Sequence, residues 1–320
     1  MNPTLTMDAQ SERPTVSVIV PVYNAERWLD ELIPSLRAQS FADWECVLVD
    51  DGSTDGSPAI LAAASREDAR FRVVTKKNGG LSDARNFGLG HVRGEWIFFV
   101  DADDALMPDC LERLLDAAAR TGAAEVMCDY HRGERMPAGA PRRTRPRVLS
   151  AARATSLMLY QRRHISHVWG TLFRRETFLP DGPRFYRGWY EDVEIHPRLF
   201  AAAGRVAYLP ERLYFYRQNP ESFVNRYTPA RLDILRVTEA HLKTYRDTPL
   251  ESAARSRRYS AVWHVLRLLL RHGGDSAFIA ALVRELRRDS WFTLLDPRVR
   301  LRNKAGAVAA WLPLRLLRRL

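Results

Sequence analysis

The chain has 320 residues, 46% of them apolar and 27% charged, long enough for one large α/β core that buries roughly 75% of its unfolded surface, which excludes a disulfide-stapled miniprotein and a wholly disordered chain. Its formal charge of +11 resides in two segments: residues 298 to 320 carry seven basic side chains and no acid, and residues 142 to 147 carry four arginines. The remainder balances, so a basic nucleic-acid face spread over the whole fold is excluded.

Three cysteines, Cys46, Cys110 and Cys128, form neither a CxxC nor a metal-ligand spacing, which predicts a reducing, cytosol-facing location. Residues 1–15 lack the apolar centre of a signal peptide and read as a flexible tail. Residues 16–22 are an apolar, β-branched run suited to a strand buried on both faces. A helix follows, with Asn24 as its expected N-cap, Leu29, Leu32, Ile33 and Leu36 at i, i+3, i+4 and i+7, and a kink at Pro34. The alternation continues with a strand at 46–49, a helix at 58–65 opened by Pro58, a strand at 71–75, a helix near 82–91, a strand at 96–100, a helix at 108–120 and a strand near Val126. Such alternation predicts a mostly parallel sheet with helices on both faces, whose ligands sit at the carboxyl ends of the strands, after Val22, Val49 and Val100.

Residues 133–146 are rich in Pro, Gly and Arg and read as a mobile loop or linker. Beyond it a helix near 151–162 and two short strands at 206–209 and 213–216 are expected. From Pro229 the pattern is helical, with Leu235 and Leu242 at i and i+7, then Val262, Val265, Leu266 and Leu269 on one stripe. Near the C-terminus the longest apolar stretch, 305–314, falls short of the ~20 residues of a spanning helix.

The first strand ends in Pro21-Val22-Tyr23-Asn24, without the glycines that a dinucleotide pyrophosphate requires, and no Walker A sequence exists. What stands at the strand ends is acid: Asp50-Asp51 after ECVLV and Asp101-Ala102-Asp103-Asp104 after WIFFV. Carboxylates converging at one sheet edge repel one another unless a cation or donor groups lie among them. A hard divalent ion, Mg²⁺ or Mn²⁺, uses one or two carboxylates plus substrate phosphate oxygens. The competing reading is that Asp101 to Asp104 only cap the helix opening at Pro108.

Four segments in this order, VSVIVPVYNAERWL, VLVDDGSTDGS, NGGLSDARNFGL and GEWIFFVDADD, resemble glycosyltransferase family 2, the inverting nucleotide-sugar transferases of the GT-A fold. The resemblance is close over residues 16–110. It continues more loosely through HVWGTLFRRETF, the WYED segment and LYFYRQNPESF, a combination similar to bacterial transferases of capsule, exopolysaccharide and lipopolysaccharide. It implies an α/β fold whose Rossmann-like, mostly parallel sheet binds a nucleotide sugar over residues 16–130. An acceptor-binding half with the catalytic base would follow at 131–225, then a helical C-terminal region at 226–320.

Position by position, the resemblance makes Asp103 the metal ligand, with Asp101 its partner near ribose and diphosphate, Ala102 between them and Asp104 supporting from behind. Pro21, Tyr23 and Asp51 would hold the nucleotide base, and Asp83, Arg85 and Asn86 would close over the diphosphate. The bland alternatives are a core aromatic for Tyr23 and a surface ion pair for Arg85. Inversion requires a general base facing the acceptor hydroxyl while the nucleoside diphosphate departs from the opposite side. The resemblance assigns this to Asp192, with Glu191 beside it as a positioning residue; an acidic first turn complementing the helix dipole is the other reading of the pair.

Trp169, Trp189 and Tyr190 are candidates to stack on an acceptor sugar, or core aromatics. Gly170 and Thr171 depart from the polar and then basic residues that many relatives carry after the tryptophan. His164, His167 and His196 read as packing or surface histidines rather than metal ligands. Residues 298–320 fit either an amphipathic helix on an anionic membrane surface or one packed on the preceding helices.

The expected function is transfer of a hexosyl or N-acetylhexosaminyl unit from a nucleotide-diphospho-sugar, with UDP favoured by the family. The acceptor would be a hydroxyl of a glycan or lipid-linked molecule in surface polysaccharide synthesis, and the protein cytoplasmic or peripheral on the cytoplasmic membrane. The alternatives are a sugar-1-phosphate nucleotidyltransferase, which would need a glycine-rich basic loop where PVYNAE stands, and a non-catalytic basic membrane-binding protein.

Overall fold

The computed structural model describes residues 13–139, 141–162, 166–218 and 228–317. His164, Arg318, Arg319, most of the N-terminal tail and the end of LYFYRQNPESF lie outside them. The first half alternates as the sequence predicts: β1 (Val16–Val22), α1 (Glu26–Arg37), β2 (Trp44–Asp50), α2 (Ser57–Glu67), β3 (Phe71–Thr75), α3 (Leu81–Leu89), β4 (Trp96–Phe99), a short β5 (Ala105–Leu106) and α4 (Cys110–Thr121). Then come β6 (Glu125–Gly133), β7 (Arg147–Ser150), α5 (Ala151–Leu159), β8 (Thr171–Arg174), α6 (Glu191–Ala203) and β9 (Arg205–Arg217). The chain continues as α7 (Asp233–Thr244), α8 (Glu251–His272), α9 (Ser276–Arg288), α10 (Ser290–Leu295), α11 (Leu301–Ala309) and α12 (Leu314–Leu317).

One nine-stranded sheet has the order β3-β2-β1-β4-β8-β6-β9-β5, with β7 also paired to β9. Strands β1, β2, β3, β4, β6 and β9 run in one direction, and β5, β7 and β8 oppose them. All seven residues of β1 are buried. Val16, Val18, Val20 and Val22 meet Leu29, Leu32 and Leu36 of α1 on one face, while Ile19 joins Ala84 and Leu89 of α3 on the other. That double burial is why β1 reads as a continuous apolar run rather than an alternating one.

The structure departs from the sequence reading in four places. Asn24 does not cap α1, which starts at Glu26; it takes a left-handed conformation (φ 48°), and its Oδ1 accepts from the Thr54 amide at 2.8 Å, bracing the loop after β2. The two short strands expected at 206–209 and 213–216 are one strand, β9, because the register against β6 shifts between Leu209 and Arg212 and leaves Pro210, which has no N–H, outside the ladder. The buried stripe of α7 is Ile234, Val237, Thr238 and His241; Leu235 and Leu242 flank it half-buried, since two polar residues occupy core positions that an apolar count overlooks. At the C-terminus the continuous helix becomes two, α11 and α12, separated at Pro313.

Residues 134–146 carry no helix or strand where described, as expected of a loop, while β7 beyond them is a largely exposed edge strand without a burial pattern to reveal it. Ala307, Ala309, Ala310 and Leu317 pack on Val262, Val265 and Leu266 of α8, whereas Leu301, Val308, Trp311, Leu312, Leu314 and Leu316 are exposed. No helix among the described residues is long and apolar enough to cross a membrane.

Candidate active site

Chain reversals at the carboxyl ends of β1, β2 and β4 bring three acidic or aromatic turns to one edge of the sheet, and α3 and the start of α6 close over them. The Tyr23 ring follows β1 and is 53% exposed, so it is a surface platform rather than a core aromatic, while Pro21 is buried within the strand. Asp51 is buried and committed to the loop after β3: its carboxylate accepts from Lys76 Nζ at 2.6 Å and from the amides of Gly79 and Gly80, the latter at 2.8 Å. Lys76 also pairs with Asp83 Oδ2 at 2.6 Å, and Arg187 with its other oxygen at 2.5 Å. These two cations hold the Asp83 carboxyl below its ordinary range.

Lys76 escaped the sequence reading. Its signal was a basic pair immediately after a strand and before Gly79-Gly80. Asn86 is likewise engaged internally, since Nδ2 donates to the Phe185 carbonyl at 2.7 Å and Oδ1 accepts from the Phe185 amide at 3.0 Å. It pins the segment leading to α6 rather than presenting a free amide to a ligand.

Arg85 is the centre of the site. Its guanidinium is 1% exposed and donates to three carboxylates: Nη2 to Asp101 at 2.8 Å, and Nη1 to Glu191 at 2.9 Å and Asp192 at 3.0 Å. Burial alone would depress its pKa; Asp101, Asp192 and Glu191 outweigh burial and raise it. The surface-ion-pair reading of Arg85 is therefore excluded. One buried cation joins the acidic turn after β4 to the first turn of α6, whose Glu191 lies 106 residues beyond Arg85 in sequence.

Asp104 faces inward, its Oδ2 accepting from the Tyr214 hydroxyl at 2.6 Å and Oδ1 from the Arg217 amide at 2.9 Å, which fastens the turn to β9. Ala102 packs against the core. Asp103 differs: among the described residues no other residue donates to its carboxylate, and burial together with Asp101 pushes its pKa up to about 6. A carboxylate crowded by another and lacking donors is of the kind that could hold a hard divalent ion, and Asp101 and Asp103 are the carboxylates that could do so. Among the described residues no group of three or more His, Cys, Asp or Glu could hold a metal ion.

Across the cleft, Burial holds the Asp192 carboxyl well above its ordinary range, with Arg85 opposing and Glu191 and Asp101 reinforcing it. Tyr190, immediately before, is left-handed (φ 64°), a conformation rare for an aromatic residue, and it turns the chain into α6 so that both carboxylates meet Arg85. His196, one turn further, is fully buried, its Nδ1 2.9 Å from the Asp192 carbonyl, so it packs behind Asp192 in the core.

An aromatic wall completes the cleft. Trp169 stacks on His167 with centroids 3.8 Å apart and on Tyr216 at 5.2 Å, and Tyr130 meets it edge-on. Gly170 lies in the left-handed region (φ 66°), where a Cβ would press on the Tyr214 ring at 3.4 Å, and Thr171 is buried in β8, which accounts for the small residues after Trp169. The cleft, about 850 Å³ and open to solvent, is lined by Gly79, Ser82, Asp101, Asp103, Trp169, Glu191, Asp192 and Tyr216, with Arg231 and His264 from the helical region.

This architecture is that of the GT-A nucleotide-sugar transferases: the complex of S. aureus TarS residues 1–349 with UDP-GlcNAc superimposes with a TM-score of 0.66 at 19% identity, covering 95% of this chain and 89% of that one. The sequence pattern of Glycosyl transferase family 2 matches residues 17–179, and the chain belongs to that family. It is 38% identical over 224 residues to the uncharacterized glycosyltransferase EpsJ of Bacillus subtilis, 68% of this chain and 65% of EpsJ. It is 30% identical over 255 residues to the succinoglycan biosynthesis protein ExoO of Rhizobium meliloti, 77% of this chain and 73% of ExoO. The match thus covers just under two thirds of EpsJ's own length.

Proposed function

We propose that the protein transfers a sugar with inversion from a nucleotide-diphospho-sugar, UDP-linked by preference, to a hydroxyl of a glycan or lipid-linked acceptor in surface polysaccharide synthesis. The observation that carries this reading is that two carboxylate pairs, Asp101 with Asp103 and Glu191 with Asp192, line one cleft, with Asp101, Glu191 and Asp192 gathered on the Arg85 guanidinium. TarS, of the same fold, binds UDP-GlcNAc, and ExoO belongs to polysaccharide synthesis by its name.

In this reading Tyr23 stacks on the base, and the loop that Asp51 and Lys76 organise lies beside it. Asp101 and Asp103 hold Mn²⁺ or Mg²⁺, which when bound neutralises charge on the departing diphosphate as a Lewis acid. Asp192 takes the proton of the acceptor hydroxyl as that oxygen bonds to the anomeric carbon, and the bond from that carbon to the diphosphate oxygen breaks on the other face. Its raised pKa makes it a stronger base than an exposed aspartate, while the Arg85 contact favours its charged form. Glu191 shares the guanidinium and fixes its orientation. Trp169 is a core aromatic, its ring covered by His167, Tyr214 and Tyr216, and it shapes the cleft through those neighbours rather than by stacking on a ligand itself.

The test is a calorimetric titration of the purified chain with UDP-, GDP- and dTDP-sugars, with Mn²⁺ and then with EDTA. Metal-dependent binding of one nucleotide is expected; absence of binding by every donor to folded protein would sink the reading.

A supporting role for an anionic membrane surface, contacted through residues 298–320, rests on the exposed Leu301 (83%), Val308, Trp311 (58%), Leu314 and Leu316 beside Arg298, Arg300, Arg302 and Arg315. It fits a protein acting on lipid-linked acceptors at the cytoplasmic face. Co-sedimentation with phosphatidylglycerol but not phosphatidylcholine vesicles is the expected result.

A further inference from the structure

Among the described residues four basic side chains line the cleft: Arg85, Arg187 on the segment leading into α6, and Arg231 and His264 from the helical region. Arg85 and Arg187 are used in opposite ways. Arg85 is buried and outnumbered by the three carboxylates it holds. The Arg187 side chain is 76% exposed, and its Nη2 pairs with Asp83 Oδ1 at 2.5 Å. The other oxygen of Asp83 is taken by Lys76 at 2.6 Å, so Asp83 keeps a cation if Arg187 swings away. An exposed pair of this kind adds little to stability and is readily exchanged.

Arg187 is placed on the donor side of the cleft by what lies around it. Asp83 stands in the first turn of α3, and Gly79, Gly80, Leu81 and Ser82, which lead into that turn, also line the cleft. Before Arg187, Phe185 is held through both its amide and its carbonyl by Asn86 of α3. After it the chain passes Gly188, where a Cβ would overlap the Tyr186 ring and the Asp233 carboxylate, and the Tyr186 hydroxyl donates to Asp233 Oδ2 at 2.6 Å. The segment is thus fastened to α3 and to α7, while the Arg187 guanidinium remains in solvent at the mouth of the cleft.

A nucleotide sugar brings the negative charge of its diphosphate into this cleft. The charge of a divalent ion between Asp101 and Asp103 would be balanced by those two carboxylates, and Arg85 is outnumbered by its own three, so neither leaves positive charge over for the phosphates. We propose that Arg187 is a donor-binding residue whose guanidinium exchanges Asp83 for the oxygens of the donor diphosphate. This rests on the transferase reading above. Closing over the diphosphate, which the family resemblance assigns to Arg85, then belongs to Arg187, and Arg85 orders the carboxylates instead. A guanidinium fork matches phosphate oxygens bidentately. Because Arg187 precedes Glu191 and Asp192 on one short segment, a filled donor site would also steady the segment that carries the base.

The test counts phosphates. Uridine, UMP and UDP are titrated with Mg²⁺ into the full chain, R187Q and R231Q by ligand-observed NMR; the guanosine or thymidine series takes their place if the donor titration selects that base. R187Q is expected to bind UDP about tenfold or more weakly and uridine within about twofold of the parent, with UMP between them. Intact uridine binding reports a folded base pocket, and a loss that grows with the number of phosphates is not the result of a merely structural strap.

UDP affinity unmoved in R187Q overturns the role. An equal loss for uridine and UDP makes Arg187 a strap across the cleft, and a loss of UDP affinity in R231Q but not in R187Q moves the phosphate contact to the helical region; each overturns it. If the parent binds no member of any series, the transferase reading falls and this role falls with it. Nucleotide binding by the parent that R187Q leaves intact removes only the role of Arg187 and leaves the transferase reading standing.

Discussion

The two walls of the cleft are built by different means. On the reading proposed above, the donor side comes from strand ends within residues 21–104, and its groups are charged and fixed by short contacts: Asp51 by the Gly79 and Gly80 amides, Asp83 by Lys76, Asp104 by Tyr214 and Arg217. The side proposed for the acceptor gathers Trp169, Asp192, Tyr216, Arg231 and His264 from segments spread over nearly a hundred residues, and it mixes aromatic, acidic and basic groups. In that reading a sheet edge would hold the features common to nucleotide sugars, whereas long-range assembly would leave the acceptor side free to vary. Arg85 is where the two walls touch.

Breaking that link has the largest expected effect. Arg85→Met leaves Asp101, Glu191 and Asp192 without their shared cation in a buried setting, a change that costs about 3–5 kcal/mol in comparable buried networks. A thermal unfolding scan should register the loss of stability, and both donor binding and transfer should fall. Retained stability with only transfer impaired would mean that the guanidinium is not structural, and the two walls would then be independent.

The next change separates the walls. Asp192→Asn preserves the shape and the Arg85 contact but removes proton abstraction, so transfer should drop on the order of 10²–10⁴-fold with metal-dependent donor affinity within about twofold of the parent. Asp103→Asn should do the opposite and abolish the part of donor affinity that depends on Mn²⁺. Calorimetry and a transfer assay on both variants decide whether the roles divide as the geometry divides them.

A smaller effect is expected from Trp169→Leu, which removes the ring that His167, Tyr214 and Tyr216 pack against at the cleft while keeping an apolar side chain. Acceptor KM should rise about tenfold, the scale of one aromatic stacking contact, with donor affinity unmoved. A change in donor affinity instead would show that the aromatic wall belongs to both substrates.

The contrast between walls also explains what was legible in the sequence. The placement of Asp101, Asp103 and Tyr23 just beyond strand ends and the alternation of β1 to β4 could be read because each signal is local: an apolar run followed at once by the residue at its carboxyl end. That Arg85 and Asp192 meet was not readable from spacing, since 107 residues separate them. Nor was the commitment of Asn86 to Phe185, or of Asp51 to Lys76, because in both cases a distant or looped partner decides how a polar side chain is used. The stripe of α7 was misplaced for a related reason, since Thr238 and His241 hold core positions that only tertiary packing reveals.

The smallest effect lies behind the acceptor wall. Glu125 and His196 are both fully buried, with Oε1 and Nε2 4.0 Å apart. Burial pushes the Glu125 carboxyl well above its ordinary value and His196 down to about 3, so both are neutral, with His196 Nδ1–H donating to the Asp192 carbonyl and Nε2 turned toward the carboxylic acid. The raised Glu125 pKa makes native protein hold a proton that the unfolded chain releases near 4.5, so its share of stability is present below that pH and is lost as pH rises through the raised value. The depressed His196 pKa works in the other direction: its share is present above about 6.5 and is lost as pH falls toward about 3. Glu125→Gln removes only the first dependence, so its Tm should match the parent near pH 4.5 and exceed it increasingly toward pH 8. A variant less stable than the parent at neutral pH would mean that the pair is ionised, and the base would then rest on a buried ion pair rather than on a neutral histidine.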